Sequence, residues 1–134
     1  MQQFDIAGLL RNALELSGCT NEQIGSFDGH STIELDMVGL PRVNVAMIDD
    51  ELWFWSPLVE STAMLFTHRS EGLLRFLMQG FRFARNEQLQ LIDVGDMLEV
   101  RVLLSPQVTQ SPQALADALD AYLESLTQLC EVVR

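Results

Sequence analysis

The 134-residue chain is predicted to form an α+β fold with the element order α-β-β-β-α-β-β-α, in which helices cover a curved antiparallel sheet. Apolar residues recur at helical spacing near both ends and in the middle of the chain, and the stretches between them alternate polar and apolar residues. The alternating stretches are joined by short connections, which is typical of antiparallel strands. With 48% hydrophobic residues, the chain is long enough for one domain, residues 1–134, with a real core.

Three helices are predicted, at Asp5–Leu16, from Glu60 to about Arg82, and from Ser111 to the C-terminus. Gly18 follows the first helix, and Pro112 stands at the first position of the third, as helix ends prefer. Gly72 and Gly80 interrupt the second helix, and each weakens it by up to about 1 kcal/mol relative to alanine. The apolar stripe of the first helix is wide, which is typical of core burial but also fits a second, exposed apolar surface.

Five strands are predicted, at Thr32–Met37, Val43–Ile48, Leu52–Trp55, Gln88–Val94 and Met97–Leu104. A turn at residues 49–51 joins the second strand to the third, and Gly95 with Asp96 joins the last two in a hairpin. We expect Pro57 to close the third strand, because proline cannot donate a hydrogen bond to a ladder.

Trp53 and Trp55 alternate with Phe54 in the third strand, so both faces of this strand must be covered. In one interpretation, helices cover one face, and a dimer partner or a helix edge covers the other. In the alternative, one tryptophan lines a groove that binds another chain. The first interpretation is favoured.

Nineteen acidic side chains against eight arginines, and no lysine, give the chain a formal net charge of -11. Phosphate backbones and anionic membrane surfaces should repel it, so neither nucleic acid nor a membrane is expected as a partner. Acidity keeps a protein soluble, and it also favours basic or apolar segments of a partner. With no positive region at its start, no apolar run near ~18 residues and two distant cysteines, Cys19 and Cys130, the protein is expected in a reducing cytoplasm.

Motifs for phosphate loops, dinucleotides, zinc hydrolases or serine hydrolases do not occur in the sequence, so we expect no enzyme, no cofactor and no metal site. Cys19 and His30 could form a thiol-imidazole dyad, and a small enzyme using them stays an alternative, although the two are neighbours only in sequence. Residues 49–51 could bind a hard cation, but their spacing favours a solvated turn. His68 is interpreted as a surface histidine.

Several segments resemble the SpaK/InvB-type, or class IB, chaperones of bacterial type III secretion systems in their order and spacing. They are Met1-Gln2, Asp5-Ile6-Ala7, Ala13-Leu14-Glu15, Ser17-Gly18-Cys19, His30-Ser31-Thr32-Ile33, Leu35-Asp36, Leu40-Pro41, Asp49-Asp50 with Trp53 and Trp55, and Phe83-Ala84-Arg85. The resemblance covers nearly the whole chain, and beyond about Leu91 it rests on pattern more than on identity.

The resemblance implies a cytoplasmic homodimer that binds an extended N-terminal segment of one or more secreted effectors. Such a chaperone keeps the effector soluble and competent for secretion and delivers it to the secretion apparatus without ATP. The secretion-system ATPase is a further candidate partner. The residues expected to bind the effector are Ile6, Leu9, Leu10, Ala13, Ile33, Leu35, Val43 and Val45, with Met37 and Met47 as adaptable lining.

The expected dimer interface consists of Leu73, Leu74, Leu77, Met78 and Phe81. All these effector-binding and dimer residues also fit the intramolecular core, since an apolar stripe does not identify the partner that buries it. A small regulatory protein that binds a folded partner is the remaining alternative.

Overall fold

The computed structural model describes residues 5–19 and 32–134, and within these ranges it confirms the predicted order of elements. The helices are α1 (Ile6–Leu16), α2 (Ala63–Met78) and α3 (Pro112–Val133). The strands are β1 (Ile33–Leu35), β2 (Val43–Ile48), β3 (Glu51–Glu60), β4 (Gln90–Val94) and β5 (Met97–Leu103), and a short 3-10 helix covers Pro106–Thr109. Within the described ranges, every helix is too short or too polar to cross a membrane.

The five strands form one antiparallel sheet in the order β1-β2-β3-β5-β4. Two tight turns fix its hairpins: Asp49 and Asp50 connect β2 to β3, and Gly95 and Asp96 connect β4 to β5. All four turn residues have positive φ angles, between 53° and 68°. Two successive residues of this kind match the twist of the flanking strands, which explains why aspartate and glycine occupy these positions.

One face of the sheet forms the hydrophobic core with the helices. In β3, Phe54 and Ser56 point to this face, and α1 and α3 pack against each other over it. The ring of Phe54 meets the ring of Tyr122 in α3 edge to face, with 5.3 Å between the centroids. The hydroxyl groups of Tyr122 and Ser56 lie 2.8 Å apart and satisfy each other inside the core.

The second helix, α2, packs beside α3 and buries Leu65, Leu73 and Phe76. Gly72 allows this approach, because a Cβ atom at this position would lie 2.9 Å from Cγ1 of Val132. The glycine that interrupts the predicted helix is therefore explained by helix packing.

Several predicted bounds are wrong, and β1 covers Ile33–Leu35 instead of Thr32–Met37. β3 does not end at Pro57 but continues to Glu60, with a register shift between Pro57 and Val59. Among the described residues, β2 pairs with β3 only as far as Trp55, so Pro57 lies where β3 is no longer paired with β2. The backbone N–H that proline lacks is therefore tolerated at this position. The helix α2 is also shorter than predicted, and it ends before Gly80, whose φ is +75°.

Candidate binding groove

An apolar groove lies beside β1, at one edge of the sheet. It has a volume of about 480 Å³ and is lined by Leu14, Cys19, Glu34, Leu35, Asp36, Met37 and Val38. Among the described residues, β1 pairs with β2 alone. An edge strand offers backbone donors and acceptors to a further strand, and an apolar groove beside it can take the side chains of that strand. The arrangement is suited to an extended polypeptide segment.

The end of α1 brings Leu14 and Cys19 together on one wall of the groove. Gly18 has a φ of +91°. The backbone N–H of Cys19 donates to the carbonyl of Leu14 at 3.0 Å, and that of Gly18 donates to Glu15 at 3.1 Å. This pair of hydrogen bonds is a Schellman motif, which turns the chain back on the last helical turn. The glycine that the sequence places after the helix therefore positions one wall of the site.

The outer rim of the groove is acidic. Burial alternates along β1, so that Ile33 and Leu35 are buried and Glu34 is exposed. The guanidinium of Arg42 lies 3.0 Å from a carboxylate oxygen of Glu34 and 3.0 Å from one of Asp36. Its hydrogen bond to Asp36 and the negative charges of Asp36 and Glu34 raise the pKa of Arg42. One cation thus serves two carboxylates, and the three side chains keep a net negative charge.

The side chains expected to contact an effector mostly belong to the chain's own core. Those buried are Ile6, Leu10, Ala13, Ile33, Leu35, Val43 and Val45, and Leu9 is half-buried. Leu35 alone of the eight lines the groove. A side chain without exposed surface cannot offer contact area unless the core opens, so a direct role for the buried residues stays a prediction.

The groove contains residues that were not among the expected effector contacts. Leu14, Cys19 and Val38 contribute apolar surface to it, and Met37 lines it as expected, whereas Met47 packs against the core. The signal for Leu14 and Cys19 was the glycine after the first helix, which implies a reversal of the chain. The sequence carries no comparable signal for Val38, because its role depends on the neighbouring helix end.

A second concave surface lies on the outer face of the sheet. Trp53 and Trp55 both point away from Phe54 and the helices, and with Ile48 and Arg101 they line a cavity of about 330 Å³. Arg101 is held by Glu99, with 2.6 Å between Nη2 and a carboxylate oxygen. Helices do cover one face of β3, as expected. The tryptophan face carries this cavity, which is the feature required by the alternative that one tryptophan lines a binding groove.

The exposed side of α2 carries a third apolar surface. Leu74 is 60% exposed and Met78 is 75% exposed, and the two lie one turn apart on the same side of the helix. Of the other residues expected in a dimer interface, Leu77 is half-buried, whereas Leu73 and Phe81 are buried in the core. Leu74 and Met78 are thus available to a second copy, and the dimer itself stays a prediction.

Of the two residues of the alternative thiol-imidazole dyad, Cys19 lies in the groove and His30 lies outside the described residues. Asp49 and Asp50 form the hairpin turn, and His68 is exposed on α2 as predicted. Among the described residues, no three histidine, cysteine, aspartate or glutamate side chains are grouped to hold a metal ion.

Two solved structures have a fold similar to that of this chain. One is the heterodimeric complex ExoU-SpcU from the type III secretion system of Pseudomonas aeruginosa, with a TM-score of 0.55, 16% identity, and coverage of 96% of this chain and 98% of that chain. Another is the HopA1-SchA chaperone-effector complex, with a TM-score of 0.56, 16% identity, and coverage of 92% and 91%. The likeness confirms the predicted type III secretion chaperone-like fold.

Sequence comparison identifies the family. Residues 18–95 match the invasion protein B family. The chain is 36% identical over 126 residues to the surface presentation of antigens protein SpaK of Salmonella typhimurium and to that of Salmonella typhi, with 94% of this chain and 93% of each relative covered. The chain belongs to the invasion protein B family, so the resemblance to SpaK/InvB-type proteins is confirmed. Family and fold together support the effector-binding chaperone function.

Proposed function

We propose that this protein is a type III secretion chaperone that holds an extended N-terminal segment of a secreted effector along β1. The observation that carries the proposal is the apolar groove of about 480 Å³ beside an edge strand of the sheet. The protein acts in the bacterial cytoplasm by binding alone, without ATP, a cofactor or catalysis, and delivers the effector to the secretion apparatus, with the secretion-system ATPase as a candidate partner.

The effector segment adds backbone hydrogen bonds to β1 and inserts apolar side chains between Leu14, Cys19 and Leu35. Ordering a segment that is disordered before binding costs conformational entropy, which offsets part of the favourable free energy of binding. The outer-face cavity with Trp53 and Trp55 offers the same effector a second apolar surface further along its chain. The bound segment stays extended, which keeps it ready for secretion.

The chaperone acts as a homodimer through the exposed side of α2. Leu74 and Met78 supply the apolar surface, and Leu77 borders it. Leu73 and Phe81, also expected at the interface, support the helix from within the core. Exposed apolar side chains grouped on one helix are typical of a subunit interface.

Co-expression with effectors encoded beside the chaperone, followed by size-exclusion chromatography with light scattering, tests the function. A complex of two chaperone chains with one effector should form and should be lost when the N-terminal segment of the effector is deleted. Val38→Glu, at a fully exposed position of the groove, should weaken the complex. Val94→Glu is the matched control, because Val94 is an exposed valine on β4 at the opposite edge. Equal effects of both variants would exclude the groove.

The same chromatography tests the dimer. Leu74→Glu should produce a monomer, because a charge would be buried without a partner at the interface. Leu16→Glu is the control, since Leu16 on α1 is 57% exposed, close to the 60% of Leu74, and the substitution is identical. A Leu74→Glu protein that remains dimeric would remove α2 from the interface.

Limited proteolysis of the complex separates the chaperone from a regulator that binds a folded partner. A chaperone protects one continuous N-terminal fragment of its effector, whereas recognition of a folded surface leaves no such fragment.

A further inference from the structure

The rim of the groove indicates the chemistry of the segment that it holds. We infer that the effector segment at β1 is a strand whose side chains alternate between apolar residues on the helix side and basic residues on the outer side. This inference rests on the proposed function and specifies the class of peptide that the same site recognises.

The helix side of an added strand meets an apolar wall. Side chains of a strand point alternately to opposite faces, and paired strands keep this alternation in step. In β1, Ile33 and Leu35 point to the helix side, where Leu14 and Cys19 form the other wall of the groove. Every second side chain of the added strand therefore lies against apolar surface, and apolar side chains gain most from burial there.

The outer side of an added strand meets the acidic rim. On the β2 side, Glu34 lies opposite Asn44, which carries no charge, and the Glu34 side chain is 55% exposed. Asp36 is 76% exposed, and Arg42 is the cation that both carboxylates share. Opposite charges in neighbouring strands attract each other and like charges repel. Arginine or lysine is therefore favoured at the outer positions, and aspartate or glutamate is disfavoured.

The opposite edge of the sheet lacks this pattern. The outer side chains of β4 are Gln90, Ile92 and Val94, and none carries a charge. The net charge of -11 attracts basic chains to the whole protein, and the carboxylates of Glu34 and Asp36 add a local attraction beside the groove at β1. A test must therefore separate the local rim from the overall charge.

Short fluorescent peptides in which valine alternates with arginine, glutamine or glutamate are suitable probes, measured by fluorescence anisotropy with the full chain. A peptide with the arginine composition but with its valines and arginines in separate blocks reports attraction without alternation. We expect the alternating arginine peptide to bind most tightly and the glutamate peptide most weakly. Glu34→Gln with Asp36→Asn should weaken binding of the arginine peptide by roughly threefold to tenfold, and salt should reduce this difference.

Asp93→Asn with Asp96→Asn is the matched control, because it also removes two negative charges, both from exposed positions of the β4–β5 hairpin at the opposite edge of the sheet. It should change binding by less than about twofold, since exposed charges beyond a Debye length are screened. If the two double variants weaken binding equally, or if the block peptide binds as well as the alternating one, the inference is wrong.

The arginine and glutamine peptides could bind equally well, with both losing binding in Val38→Glu. This result would keep the groove as the effector site and would contradict only the preference for basic side chains at the outer positions. If no peptide binds while the co-expressed effector complex forms, the inference is overturned and the chaperone function stands. If that complex also fails to form, both are overturned.

Discussion

Replacing Tyr122 with phenylalanine tests how α3 is fixed to the sheet. The variant keeps the ring that meets Phe54 edge to face and removes only the hydroxyl that lies 2.8 Å from Oγ of Ser56. Ser56 is completely buried, so its hydroxyl would lose its partner where water cannot replace it. Leaving one buried polar group unsatisfied costs about 1–3 kcal/mol. We expect Tyr122→Phe to lower the free energy of unfolding by about 1–2 kcal/mol.

Urea unfolding at fixed protein concentration measures this loss. A slope of about 1–3 kcal/mol per molar urea converts it into a midpoint that falls by on the order of 1 M. Ser56→Ala should cost a similar amount, because it leaves the hydroxyl of Tyr122 without a partner. The double variant should recover most of the loss, since two apolar groups replace a hydrogen-bonded pair at little cost. If the double variant lowers the free energy of unfolding by the sum of the two single effects, the two hydroxyl groups are not energetically coupled, and the reasoning is refuted.

The same variant predicts a change in the pH dependence of stability. Burial is the main cause that raises the pKa of Tyr122 above its ordinary value of 10.0, and the hydrogen bond to Ser56 opposes it. The folded state therefore holds this proton more tightly than the unfolded state. The stabilisation of the folded state that follows from this raised pKa is complete below pH 10.0 and is lost as the pH rises above that value. Tyr122→Phe lacks this titration, so its stability deficit relative to the original chain should narrow at alkaline pH.

Two further predictions concern a turn and the groove. Gly39→Ala should cost about 1 kcal/mol, because the φ of Gly39 is +77°. Gly80→Ala, at a φ of +75°, should cost about 1 kcal/mol more than Gly39→Ala, because the new Cβ would lie 3.0 Å from the carbonyl oxygen of Glu87. Equal urea midpoints for the two variants would contradict this steric contact. In a Cys130→Ser variant, a bulky maleimide attached to Cys19 should block effector binding in a pull-down. The control Cys19→Ser should still bind the effector. Unchanged binding after labelling would show that the effector binds elsewhere.

The order of elements could be predicted because it depends on local patterns. Helical spacing and period-two alternation differ clearly in this chain, and the turn residues mark both hairpins. The bounds at Pro57 and at the end of α2 could not be predicted, because they depend on neighbours that only the fold provides. Pro57 is tolerated since β2 no longer pairs with β3 there, and Gly72 remains in a helix because it lies against Val132.

The groove could be predicted only in part. The sequence predicted effector contacts on α1 and the first two strands, and of the residues named there Leu35 and Met37 line the groove. It could not show that residues 14–19 and 34–38 meet, because two short segments separated in the chain form the site together. An apolar residue at helical or strand spacing predicts burial, but it does not distinguish the core from a bound partner.

This distinction decides how substitutions in the expected effector site should be interpreted. Truncating the buried Ile33 to alanine removes packing from the core at a cost of roughly 2–5 kcal/mol, so weaker effector binding would follow from lower stability as readily as from a lost contact. Val38 is fully exposed, and Glu34 is exposed on the rim, so substitutions there change the groove without opening the core. If a substitution at these exposed positions weakens effector binding and leaves the free energy of unfolding unchanged, that position belongs to the surface that contacts the effector. If effector binding falls together with the free energy of unfolding, the substituted residue belongs to the core that supports this surface.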